Sequence, residues 1–181
     1  HLPECEDMSV FDEMKMNGMK YSSVLLVGVV TILIHISAFA AENHKIEFVD
    51  SMWDGKTIPD GLQCSDKGGK NSHTPKLKIT NLPAGTKYLF MVITDESNGR
   101  HHGTFRLEVS SNASEVIFPR IYENADKFPN GVTLVSGAPS LKEHYRPPCS
   151  GGQHHNYYSD IIAYGEGDKK LGGNYIDWGR Y

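Results

Sequence analysis

Tyr145-Arg-Pro-Pro-Cys-Ser-Gly-Gly-Gln-His-His-Asn-Tyr157 is the stretch around which the chain is read. Two prolines fix the backbone on the way in, and Gly151-Gly152 lets it turn sharply and approach a ligand closely. His154, His155 and Tyr157 stand at the start of a patterned run, Tyr157 to Tyr164 (YYSDIIAY). A rigid bend that delivers His and Tyr onto the end of a strand makes a small polar pocket. The competing reading is a Gly/Pro turn with solvated histidines.

Working outward, the segments are short strands separated by turn chemistry. Lys45 to Val49 and Lys76 to Thr80 alternate, and the second stops at Asn81-Leu-Pro-Ala-Gly85. Tyr88 to Thr94 (YLFMVIT) is nearly all apolar and reads as a central strand covered on both faces. Thr104 to Val109 alternates, with Phe105, Leu107 and Val109 on one face. Glu115–Phe118, Val132–Val135 and Tyr157–Tyr164 complete seven strands. No run has helical period. The expectation is an all-β sandwich with few short helices. Residues 165–181 carry no amphipathic helix, so Tyr175-Ile-Asp-Trp178 adds an edge strand or packs as a tail.

The spacing of the motifs resembles the phosphatidylethanolamine-binding protein family, which includes the Raf kinase inhibitor proteins and compact bacterial relatives. Pro148-Cys149, the Gly pair and His155-Asn156-Tyr157 are similar to its Pro-Cys, Gly turn and His-Arg-Tyr. Ile58-Pro59, Cys64, Gly69, Asn71 and Thr74-Pro-Lys-Leu77 resemble its Ile-Pro…Cys-Asp-Gly…Ser-Pro-Pro-Leu segment. Pro83-Ala-Gly-Thr-Lys87 matches its Pro-Ala-Gly-Thr-Lys, and Thr94-Asp95 falls where its Asp-Pro-Asp begins. The resemblance spans roughly residues 46–164 and implies the family's β-sandwich.

It also implies a pocket for a phosphate-like anion. His155 and Tyr157 would donate to the ligand, Asp95 would orient a neighbouring imidazole or hold an ammonium head group, and Pro148 would form a wall. The ligand so implied is a phospholipid head group or small anion, and the same face would serve for inhibiting a protein partner. Two departures stand out. Asp-Pro-Asp reads Asp95-Glu96-Ser97, and an ungapped count places the second pocket His at Phe105, three and four residues beyond His102 and His101. Competing readings make Asp95 a turn cap and His101-His102 a solvated loop.

The chain carries 18 Lys and Arg against 22 Asp and Glu, a formal charge of −4. Residues 1–18 are acidic and aperiodic and read as an upstream extension outside the mature protein. From Met19, Lys20, the apolar run Val24–Ile36 and Ala38-Phe39-Ala40 read as a signal peptide, 19–40. That run is too short to span a bilayer, which takes about 20 residues. The mature domain is then 41–181, a secreted chain. From Glu42 onward it has 16 Lys and Arg against 17 Asp and Glu, a balance of −1, so bulk charge attracts neither nucleic acid nor an anionic membrane.

Cys64 and Cys149 remain after the leader, and two cysteines in a secreted domain commonly pair; two buried thiols are the alternative. Asn112-Ala113-Ser114 is a glycosylation sequon. No nucleophile elbow, Walker loop or paired carboxylate pattern occurs, so the reading is non-catalytic and without a cofactor. The runner-up is a secreted metal-binding protein built on the pairs His101-His102 and His154-His155, whose members point to opposite faces of a strand. A third reading is a structural secreted protein with a decayed pocket.

Overall fold

A computed structural model describes residues 43–139 and 144–181. The upstream extension, the leader and its cleavage site lie outside them. Eight strands follow in order: β1 (Lys45–Phe48), β2 (Leu77–Thr80), β3 (Tyr88–Asp95), β4 (Arg100–Glu108), β5 (Glu115–Phe118), β6 (Val132–Ser136), β7 (Asn156–Tyr164) and β8 (Lys170–Arg180). They form two antiparallel sheets, β1-β2-β5 and β6-β4-β3-β7-β8. Seven strands fall where the alternation places them. The eighth, β8, is the edge strand alternative for the C-terminal segment, but far longer than residues 175–178 alone.

The two sheets share one core. Leu77, Ile79 and Phe118 of the smaller sheet pack in a single cluster with Leu89, Met91, Ile93, Phe105, Leu107 and Ile161 of the larger. Each of these points inward by the period-2 rule, which puts alternate side chains on one face. β3 is central, as its composition implies, but only one of its faces is fully covered. Leu89, Met91 and Ile93 are buried, whereas Phe90, Val92 and Thr94 are half-buried. The outer face is sheltered by its own aromatics instead: Phe90 and Tyr164 rings lie 5.1 Å apart, and the Arg106 guanidinium sits 3.9 Å over the Tyr88 ring. Among the described residues no helix is long and apolar enough to cross a membrane.

The long connections at one end of the larger sheet are tied down covalently and by main-chain hydrogen bonds. Cys64 and Cys149 form a disulfide with Cα atoms 5.2 Å apart, closing a separation of 85 residues. Beside it, the Cys64 N–H donates to the Pro148 carbonyl at 2.9 Å. The Ser150 hydroxyl donates to the Tyr181 carbonyl at 2.6 Å, and the Tyr181 N–H to the His155 carbonyl at 3.1 Å. Trp178 of β8 is fully buried between Trp53 and Tyr145, at 5.6 and 6.5 Å between ring centroids. β8 thus backs the Tyr145–Tyr157 bend from beneath.

A crosslink of this span removes about 4–5 kcal/mol of chain entropy from the unfolded state. The Cys64→Ser/Cys149→Ser double variant is expected to lose about that much stability in urea unfolding. A loss below about 1 kcal/mol would contradict the assignment.

Candidate functional site

Three elements converge at the end of the larger sheet. Asp95 is the last residue of β3 and pairs in register with Tyr157, the second residue of β7; His155 immediately precedes β7. The antiparallel ladder therefore brings residues 60 apart in sequence into contact, and the His155 Nδ1–H donates to Asp95 Oδ2 at 2.7 Å. The other carboxylate oxygen, Oδ1, accepts the Ser97 N–H at 3.0 Å. Asp95 is buried, with both oxygens engaged.

Tyr157 is buried, and its hydroxyl accepts the Cys149 N–H at 3.2 Å. Burial pushes its phenol above the ordinary range, against hydrogen bonds with Ser150 and the Cys149 N–H. The bend that carries Cys149 is left-handed at Gly151, Gly152 and His154, with φ of 67°, 80° and 59°. The Gly pair thus performs the sharp turn read from the sequence, and it leaves His154 exposed while turning His155 inward.

The second imidazole is supplied by His102. Opposite β3, Ile93 pairs with Gly103 and Thr94 with His101, so His102 is an extra residue in a β-bulge. A bulge shifts the inward–outward alternation by one place. Gly103, at φ 144°, permits the distortion, and His102 rather than His101 takes the inward position. His102 is 2% exposed and stands edge-on to Tyr157 at 5.3 Å. It and Arg146 exchange two hydrogen bonds: the His102 Nδ1–H donates to the Arg146 carbonyl at 2.7 Å, and the Arg146 N–H to the His102 carbonyl at 3.0 Å. Burial lowers its pKa, outweighing the hydrogen bond to Arg146 and the nearby Asp95 charge.

The ungapped position of that second histidine, Phe105, is elsewhere. Its ring is completely buried in the core, 5.5 Å from Phe128, and does not line the site. His102 lies three residues before that position, so the one-residue bulge does not account for the offset; it decides which of the two adjacent histidines faces the site. Its signal was the isolated Gly103 within a strand pattern.

These groups surround a hollow of about 300 Å³ lined by Asp95, His102, His155, Tyr157 and Cys149. Pro148, expected as a wall, is buried behind Cys149 and does not line it. Lys67, Arg100 and Arg146 do line it, with Asn98, Ser150 and Gln153. Lys67 reaches in across Gly151, where a Cβ would stand 3.2 Å from its Cε. Sequence reasoning missed these cations because each comes from a different loop or strand end, with no local pattern. No three His, Cys, Asp or Glu side chains converge among the described residues to hold a metal. His102 and His155, one from each histidine pair, line the same hollow, while His101 bonds Thr104 Oγ1 through Nε2 at 2.8 Å.

The crystal structure of E. coli YbcL, described as a new member of the mammalian PEBP family, matches this chain with a TM-score of 0.52 over 77% of its length and 98% of the YbcL chain, at 17% identity. The fold is that of the phosphatidylethanolamine-binding proteins. No family model and no curated protein sequence matches the chain. At this identity the likeness is one of fold, and any reading of the hollow rests on the side chains just described.

Burial also lowers the pKa of His44 and His73. A histidine depressed in the folded state binds fewer protons there than in the unfolded chain. Stability is therefore retained above the ordinary value of 6.5 and lost as pH falls below it. Asp50, held low by its hydrogen bond to Arg120, acts only below about its ordinary 3.8. The urea midpoint is expected to be level from pH 8 to 7 and to fall between pH 6.5 and 5.5; a midpoint constant through that range would contradict the burial of these rings.

Proposed function

We propose that the protein is a secreted, non-catalytic binding protein of the phosphatidylethanolamine-binding type that holds a small anion or a phospholipid head group in this hollow. The observation that carries the reading is the charge of the lining. Among the described residues, three cationic side chains, Lys67, Arg100 and Arg146, stand around a single carboxylate, Asp95, which is already bonded to His155 and Ser97. A chain of net charge −4 thus concentrates positive potential at one point. A concave site with low-dielectric walls strengthens that field.

Each lining group has a part. His155, oriented by Asp95 through Nδ1, donates from Nε2 to an anion in its imidazolium form. The Tyr157 hydroxyl donates a second hydrogen bond. Arg100 and Lys67 supply charge at the rim. Ser150, the hydroxyl beside the histidines, donates to the Tyr181 carbonyl. Export follows from the leader-like segment 19–40 and agrees with the disulfide, which persists in oxidising compartments. Asn112, exposed on the turn after β4, is then a glycosylation site, and a protein partner would be inhibited through the mouth of the hollow.

Titration with inorganic phosphate in a calorimeter tests this reading. His155→Ala and Arg100→Ala are each expected to weaken binding more than tenfold, since hydrogen bonds to charged groups contribute about 1.5–3 kcal/mol. Absence of heat with the unaltered protein, or unchanged affinity in both variants, would overturn it.

A further inference from the structure

The disulfide is set into the wall of the hollow, and its two halves differ. Cys149 is half-buried and lines the space, whereas Cys64 is 2% exposed and does not. Arg146 Nη2 lies 3.6 Å from Cys149 Sγ. On the other side of the bridge, the short helical turn Ser65–Lys67 follows Cys64 directly, and Lys67 reaches across to Gly151. The bridge thus joins the two segments that bring Lys67 and Arg146 to the site. A disulfide sulfur has no net charge and is a weak acceptor for a guanidinium. A thiolate in its place would be a strong one.

The charged and titratable groups facing Cys149 come from every element around the hollow. Lys67 stands on the helical turn, Arg146 on the bend, and Arg100 and His102 on β4. Asp95 closes β3, with His155 and Tyr157 at the start of β7. Asp95, the one carboxylate among them, is already bonded to His155 and the Ser97 N–H. A cationic surround of this kind favours the ionised form of a cysteine. Nor does the bend depend on the bridge alone. The Cys64 N–H donates to the Pro148 carbonyl, the Cys149 N–H to the Tyr157 hydroxyl, and Arg146 and His102 exchange two hydrogen bonds. The walls therefore keep their ties when the bridge is opened.

We propose, building on the anion-binding reading above, that the Cys64–Cys149 bridge is a redox gate on the hollow: oxidised, it leaves the cations to an external anion, and reduced, the Cys149 thiolate takes them and excludes that anion. The step is exchange with a dithiol. A thiolate of the reductant attacks the sulfur of Cys149, the more exposed of the pair; the S–S bond breaks, and Cys64 leaves with the electron pair and takes a proton from water. The reductant's second thiolate then attacks its own sulfur in the mixed disulfide and expels Cys149 as a thiolate. Two electrons pass to the protein, and the reductant departs as a disulfide. By linkage, a bound anion opposes reduction by the same factor with which reduction opposes the anion.

Sulfate stays fully ionised across the working pH range and serves as the probe. Calorimetry at about pH 8 is expected to show sulfate binding the oxidised protein, with affinity about tenfold lower or worse after reduction by dithiothreitol. Cys64→Ser, which leaves the Cys149 thiol, should bind as weakly as the reduced protein. Cys64→Ser/Cys149→Ser, which has no thiolate, should keep most of the affinity of the oxidised form. A second measurement needs no variant. Iodoacetamide labelling of the reduced native protein, read on the Cys149 peptide by mass spectrometry, is expected to reach half its full rate below the pH of about 8.5 usual for cysteine, and to slow when sulfate is added. No heat with the oxidised protein overturns the anion site itself. Equal sulfate affinity in the oxidised and reduced proteins overturns the gate and leaves the site standing. Affinity lost as fully in the double variant as in Cys64→Ser, or labelling with an ordinary pH profile and no response to sulfate, overturns the role of the thiolate.

Discussion

The pairing of β3 with β7 is the constraint on which the site depends. Asp95 and Tyr157 are opposite one another in that ladder, and His155, two residues before Tyr157, reaches the carboxylate of Asp95 at 2.7 Å. In an antiparallel pair the partner of every residue is fixed once one pair is fixed. A slip of one place would turn Leu89, Met91 and Ile93 out of the core and Asp95 away from His155 together. The apolar interior that sets the register therefore also sets the polar contact at the strand ends. Function here is attached to the fold's strongest geometric determinant.

The remaining wall of the hollow belongs to chain that has no regular structure of its own. The Tyr145–Tyr157 bend is held by the disulfide to Cys64, by the exchange of hydrogen bonds between Arg146 and His102, and by the bond from Cys149 N–H to the Tyr157 hydroxyl. Each tie joins the bend to a different element. A loop restrained at several points loses little entropy when a ligand arrives, which is the physical advantage of a preformed site. β8, with Trp178 packed beneath the bend, adds a rigid floor.

Electrostatics and geometry separate cleanly in this molecule. The chain as a whole is acidic, and its formal charge gives no reason to associate with anions. The hollow reverses the sign locally because Lys67, Arg100 and Arg146 come from three distant parts of the sequence to one place. Within that positive surround, the two imidazoles differ. His155 is backed by a carboxylate, and His102 by a neutral carbonyl. Both rings are thus oriented through Nδ1, one against a charged acceptor and the other against a neutral one.

Much was legible in the sequence alone. Alternation in Lys76–Thr80, Thr104–Val109 and Tyr157–Tyr164 identified strands because period 2 is imposed by the pleat, whatever the tertiary context. The Gly151-Gly152 bend was readable because few other residues accept positive φ at successive positions. His155 and Tyr157 were found at the start of a patterned run and Asp95 through the family resemblance, and the register brings the three together. The identity of the second imidazole was decided only by the bulge at His102, since one unpaired residue reverses which face a side chain takes and leaves no periodic trace. Which cations line the hollow was likewise decided by tertiary structure: loops converge through contacts distant in sequence, and nothing local to Lys67, Arg100 or Arg146 records where they meet.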